Sequence, residues 1–153
     1  MIQRAKYAFT ATLTFALAAA IHAADQPRIL AGDDGVAVSG YDVTAYQDGK
    51  ARKGSAKFAA KHDGAVYHFA SAENRDRFQA DPARYAPEYG GWCAYAMGAK
   101  GVKFEVNPRT FKVVDGKLLL FYNGPQGNTL PLWNNDEKTL YPQADANWAK
   151  LHP

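Results

Sequence analysis

Cys93 is the only cysteine in the chain, and it stands in "GGWCAYAM", behind two glycines and four residues ahead of Met97. If a helix begins just after Gly91, Cys93 falls in its first turn. There the unpaired backbone N–H groups and the helix dipole favour an anion such as a thiolate. Positions i and i+4 share a helix face, which puts Met97 beside it. A thiolate and a thioether on one face are two soft ligands, the combination Cu(I) prefers. The same two residues also suit an inert role, a small buried thiol with a methionine filling the core around it.

His68 is the second candidate. In "AVYHFAS" strand alternation puts Val66, His68 and Ala70 on one face and Tyr67 and Phe69 on the other. His68 then faces either a pocket or the core, where it would be hydrogen-bonded. His62 precedes Asp63-Gly64 and reads as a solvated turn residue. Motifs of other chemistries are absent: no Cys-x-x-Cys, no His-Glu-x-x-His, no Gly-x-Ser-x-Gly and no phosphate-cradling glycine loop. Asp33-Asp34-Gly35 lacks the remaining ligands of a calcium loop. Tyr41, Tyr46, Tyr89, Trp92 and Tyr95 suit a core, or the wall of a pocket.

The elements that must position these residues follow from pattern and punctuation. "VAVSGYDVTAY" reads as a strand turning at Gly40. "KFAAKHDGAVYHFAS" reads as a hairpin about Asp63-Gly64. Ser71 caps a helix of about ten residues that buries Phe78 and stops at Pro82. Residues 82–91 form a connection punctuated by Pro82, Pro87, Gly90 and Gly91. "WCAYAMGAK" is a helix ending at Gly98 or Gly101. "VKFEV" alternates as a strand, and a second hairpin turns at Asp115-Gly116. The tail reads as two short helices broken at Pro142, the second capped by Asp145 and burying Trp148 and Leu151. Strands and helices segregate, so the fold class is α+β, a small single domain of β-hairpins packed against short helices.

The N-terminus reads as a secretory signal. Arg4 and Lys6 precede an uncharged apolar run over residues 8–21, and Ala23 and Ala24 offer a cleavage site. The run is short for a membrane span of about 20 residues. The division is therefore a signal peptide over 1–24, a polar, mobile leader over 25–35 and one domain over 36–153. Localisation follows as periplasmic or secreted, with no membrane association after cleavage. Losing Arg4 and Lys6 leaves 16 Lys and Arg against 15 Asp and Glu. That near-neutral balance lacks the clustered basic excess of a nucleic-acid surface. One cysteine excludes an internal disulfide, so packing must hold the domain. In an oxidising compartment a free thiol needs shelter, expected beneath Trp92 and the 65–69 strand.

The run from Ser39 to Met97 resembles the YHS domain, in its longer secreted form. Tyr67-His68, Ser71, Phe78, the "DP" before Tyr85 and the "YGGWCA" block carry the likeness, which extends over residues 36–151. The resemblance implies a metal-associated module, copper included, whose short members carry two candidate cysteine ligands around the Tyr-His-Ser stretch. This chain has Ala70 and Asn74 at those positions, so that site is lost or rebuilt. Cys93 matches the cysteine of the longer form.

Three functions follow as expectations. The first is an exported, non-catalytic module binding a soft metal, copper, through Cys93 with His68 and Met97 as co-ligands and Asp42 of "GYD" as a hard or supporting ligand. The second is a module binding a small organic ligand or partner protein through its aromatic cluster, which a deep apolar pocket near Cys93 would favour. The third is a thiol enzyme with Cys93 as nucleophile and His68 as base, which needs the two within hydrogen-bond reach.

Overall fold

The computed structural model describes residues 26–153. The segment read as a signal peptide lies outside them. The described residues form an α+β domain of short antiparallel strand pairs and short helices. Its elements are β1 (Ser55–His62), β2 (Ala65–Phe69), α1 (Ala72–Ala80), α2 (Pro82–Tyr85), α3 (Ala94–Lys100), β3 (Asn107–Val114), β4 (Lys117–Phe121), the two-residue strands β5 (Asn123–Gly124) and β6 (Gly127–Asn128), α4 (Leu130–Asn135) and α5 (Glu137–Leu151). No helix among the described residues is long and apolar enough to cross a membrane.

Both main hairpins turn where Asp-Gly stands. Asp63 and Gly64 take φ of 48° and 81°, Asp115 and Gly116 take 51° and 78°, the left-handed pair that a two-residue hairpin loop requires. Ser71 caps α1 by accepting the Asn74 N–H at 3.1 Å. Asp81 caps α2 by accepting from Arg84, so part of the expected connection is helical. Gly101, in the left-handed conformation, ends α3.

Other expectations needed correcting. Residues 36–46 form no strand. They make single bridges (Val36 to Val66, Tyr41 to Lys53) and two short 3₁₀ turns, because Asp42 binds its own downstream backbone and curls the chain. "VKFEV" is not a strand either: Lys103 is buried and donates to the Gln26 carbonyl, and the Phe104 carbonyl accepts from Cys93 N–H. In the tail the break falls at Asp136, while Pro142 lies inside α5. Asp145 caps nothing; its Oδ1 accepts from the Tyr89 hydroxyl at 2.9 Å. Trp148 and Leu151 are only partly buried.

β4 is the wall between two cores, with four consecutive side chains fully buried. Leu118 and Leu120 face one cluster with Tyr46, Tyr67, Phe69 and Phe78. Leu119 and Phe121 face the other with Met97, Trp133, Leu140 and Ala144. A strand packed on both faces reads as a continuous apolar run rather than an alternation.

A charged tie crosses from β3 to the tail. Glu137 Oε2 accepts from Lys112 Nζ at 2.5 Å and from Trp133 Nε1 at 2.7 Å. The Lys112 hydrogen bond holds the Glu137 carboxyl below its ordinary value, burial opposes this, and the indole N–H adds to it. A lowered folded-state value means stabilisation that is complete above the ordinary 4.5 and lost as pH falls through the lowered value. Both side chains are about one-third exposed, so solvent screening limits the pair to about 1 kcal/mol or less. Urea unfolding of Glu137→Gln should show that deficit near neutral pH, shrinking towards zero in acid. A deficit independent of pH would show that the tie is not electrostatic.

Candidate functional site

Cys93 precedes α3 as its N-cap residue, with φ −58° and ψ 116°, rather than lying in its first turn. Extended backbone there takes the thiol off the face that carries Met97. Met97 points into the second core, whereas Cys93 belongs to the wall of a cavity of about 370 Å³ whose lining does not include Met97. The two sulfur residues therefore serve different surroundings.

The thiol is sheltered: Cys93 is 0% exposed. The shelter comes from elsewhere than expected. Sγ accepts the Tyr122 N–H at 3.4 Å and lies 3.5 Å from Thr129 Oγ1. Thr129 Oγ1 in turn donates to the Tyr122 carbonyl at 3.1 Å. A neutral thiol closes this ring by donating to Thr129, so every polar atom is used. Trp92 turns away, its Nε1 donating to the carbonyls of Pro27 and Arg28. The 65–69 strand serves the first core instead.

Over this thiol the cavity is largely apolar. Tyr95 and Ala96 come from α3, Val102 and Phe104 from the segment after it, and Tyr122, Gln126 and Thr129 from the region around β5 and β6. Phe104, 42% exposed, meets Tyr122 edge-on with ring centroids 5.2 Å apart. Lys100 is the one charged lining residue. Of the aromatic residues singled out in the sequence, only Tyr95 lines it. Tyr122, Phe104 and Thr129 carried no local signal, because 11 to 36 positions separate them from Cys93.

His68 is placed elsewhere. Strand alternation holds, with Tyr67 and Phe69 buried and His68 on the opposite, half-buried face. It lines a separate cavity with Asp34, Ser39, Lys53 and Gly54. That cavity shares no lining residue with the one over Cys93, and the hydrogen-bond partners of Sγ do not include His68. The Cys93–His68 pair needed by a thiol enzyme is not assembled.

Asp42 is fully buried and saturated. Its Oδ1 accepts from Thr44 Oγ1 at 2.6 Å, Thr44 N–H at 2.9 Å and Ala45 N–H at 3.4 Å; its Oδ2 accepts from Ala70 N–H at 2.8 Å and Asn74 Nδ2 at 2.7 Å. Ala70 and Asn74 are the two positions where the short domain carries its candidate ligands. Here they serve a buried carboxylate that joins three segments of chain. Among the described residues no group of three or more His, Cys, Asp or Glu side chains is arranged to hold a metal ion.

Residues 43–89, with the Tyr-His strand and the capped helix α1, match the family model of the YHS domain. That segment is a YHS domain, a class associated with metal-related proteins. The match ends before Cys93, so the thiol cavity belongs to what the chain builds around the domain. No curated protein and no solved structure matches the chain.

Proposed function

We propose that the protein is a binding module whose site is the cavity over Cys93 and whose ligand is a small, mainly apolar organic molecule. The observation that carries this is the cavity itself. Its volume of about 370 Å³ is of ligand size, its walls are aromatic and aliphatic, and a few polar groups converge at one side. The Thr129 hydroxyl oxygen keeps one lone pair to accept with, and Lys100 supplies a charge. The N-terminal sequence pattern adds that the module is exported, to a periplasm or beyond; cell fractionation against a cytoplasmic marker tests that part.

Ala96→Trp, which places an indole in the cavity from α3, should abolish binding of small aromatic fragments while leaving the fold intact. In the parent, a fragment at a hundred times its Kd should raise stability by about 2.7 kcal/mol. If the variant is stabilised as much as the parent, the site lies elsewhere.

The second reading is a soft-metal site, copper as Cu(I). It is favoured by the YHS match and by a soft sulfur in the wall of a cavity. Cys93 would be the anchor. His68, Met97 and Asp42 would join it only through rearrangement, since they occupy a second cavity, a core and a saturated hydrogen-bond hub. Titration with Cu(I) against a competing chelator separates the readings. Tight binding lost in Cys93→Ser supports the metal, and equal binding in both proteins removes it from this site.

A further inference from the structure

The structure assigns a second site, independent of the Cys93 cavity: we propose that the cleft between the 32–40 loop and His68 binds a small oxyanion, a carboxylate or phosphate group. The cleft has a volume of about 430 Å³ and carries three polar or charged side chains in its wall besides His68: Asp34, Ser39 and Lys53.

Its backbone is strained. Val38, Ser39 and Gly40 take φ of 51°, 51° and 75° in succession. A β-branched valine in the left-handed region is an outlier that persists only when its surroundings impose it, and such outliers cluster at ligand sites. The surroundings do impose it: Ala37 N–H donates to the Val66 carbonyl at 2.9 Å and Gly54 N–H to the Gly40 carbonyl at 2.8 Å. What the strain achieves is to bring the bare backbone of Gly40 against the imidazole, with Ser39 in the same wall. A Cβ on Gly40 would sit 3.5 Å from His68 Nδ1, and one on Gly54 would lie 2.4 Å from the His68 carbonyl. Both positions keep side chains out of the cleft.

The charge in this wall is Lys53. Its Nζ donates to the Ser39 carbonyl at 2.5 Å and lies 4.8 Å from the Tyr41 ring centroid. It forms no ion pair with a carboxylate among the described residues. An ammonium held by a carbonyl and a ring keeps donors to offer and has no resident anion. The imidazole N–H and the Ser39 hydroxyl add further donors. Asp34 is the opposing charge, and its Oδ1 is engaged by the Val36 N–H at 3.0 Å.

The test is NMR titration of the full chain with inorganic phosphate and, separately, acetate, following the His68 ring and the amides of Ser39, Gly40 and Gly54. Saturable shifts confined to these groups are expected, and the tighter anion names the phosphoryl or carboxylate class. Lys53→Met should weaken binding about tenfold or more, the worth of a charge-assisted hydrogen bond. Asp34→Asn should tighten it. Lys57→Met, an exposed lysine outside the cleft, should leave it unchanged, and unchanged spectra away from the cleft will show that each variant folds. Shifts that never saturate, a Lys53→Met protein that binds like the parent, or equal loss in Lys57→Met would overturn the site.

Discussion

Asp42→Ala is expected to cost the fold about 4 kcal/mol or more, enough to leave a small domain largely unfolded. The carboxylate is 0% exposed and accepts five hydrogen bonds from Thr44, Ala45, Ala70 and Asn74. Alanine removes the charge and leaves those donors without an acceptor, each at about 1–3 kcal/mol where water cannot reach. Asp42→Asn should cost less, since one oxygen still accepts, but its amide N–H₂ meets other donors. Urea denaturation measures both. A cost below about 1 kcal/mol for Asp42→Ala would mean that the hub is not structural. The result also bears on metal: a ligand's loss lowers metal affinity and spares the fold, whereas this residue's loss breaks the junction of the 42–45 turn, the end of β2 and α1.

Gly90→Ala should cost about 3 kcal/mol or more, from two sources that add. Gly90 has φ of 62°, where a side chain costs about 1 kcal/mol. Its new Cβ would also lie 2.0 Å from the Arg28 carbonyl oxygen, backbone that cannot rotate aside. Relief requires the 26–31 segment to lift away. That segment was expected to be a mobile leader, yet it is docked: Leu30 N–H donates to the Gly90 carbonyl at 2.8 Å, and Trp92 and Lys103 hold the carbonyls of residues 26–28. Hydrogen exchange at Leu30 should therefore rise sharply in Gly90→Ala while the amides of the β1–β2 hairpin stay protected. If Leu30 exchanges as in the parent, the segment does not depend on this glycine.

The hairpins, the α1 cap and the alternation of β2 were legible because each rests on a few neighbouring residues. Asp-Gly takes left-handed angles wherever two strands need a tight turn, and Ser71 caps a helix whatever packs on it. The 36–46 segment misled because its β-branched and aromatic residues fit a strand by composition. It found no partner strand to pair with along its length, and Asp42 bent it. "VKFEV" failed in the same way, its alternation spent on a buried lysine and on the wall of a cavity.

The sequence by itself determined the α+β class, the YHS likeness and the single thiol, since these depend on residue type and short spacing. Tertiary structure alone decided what that thiol faces. Cys93 and Met97 are four residues apart, and one extended residue at the helix start sends them into different surroundings. Thr129 is 36 residues from Cys93 and becomes its hydrogen-bonding neighbour. His68 and Asp42 stand apart from it too: His68 lines a second cavity, and Asp42 is enclosed by donors from Thr44, Ala45, Ala70 and Asn74. Side-chain chemistry proposes a site, but only chain closure brings its members within bonding distance.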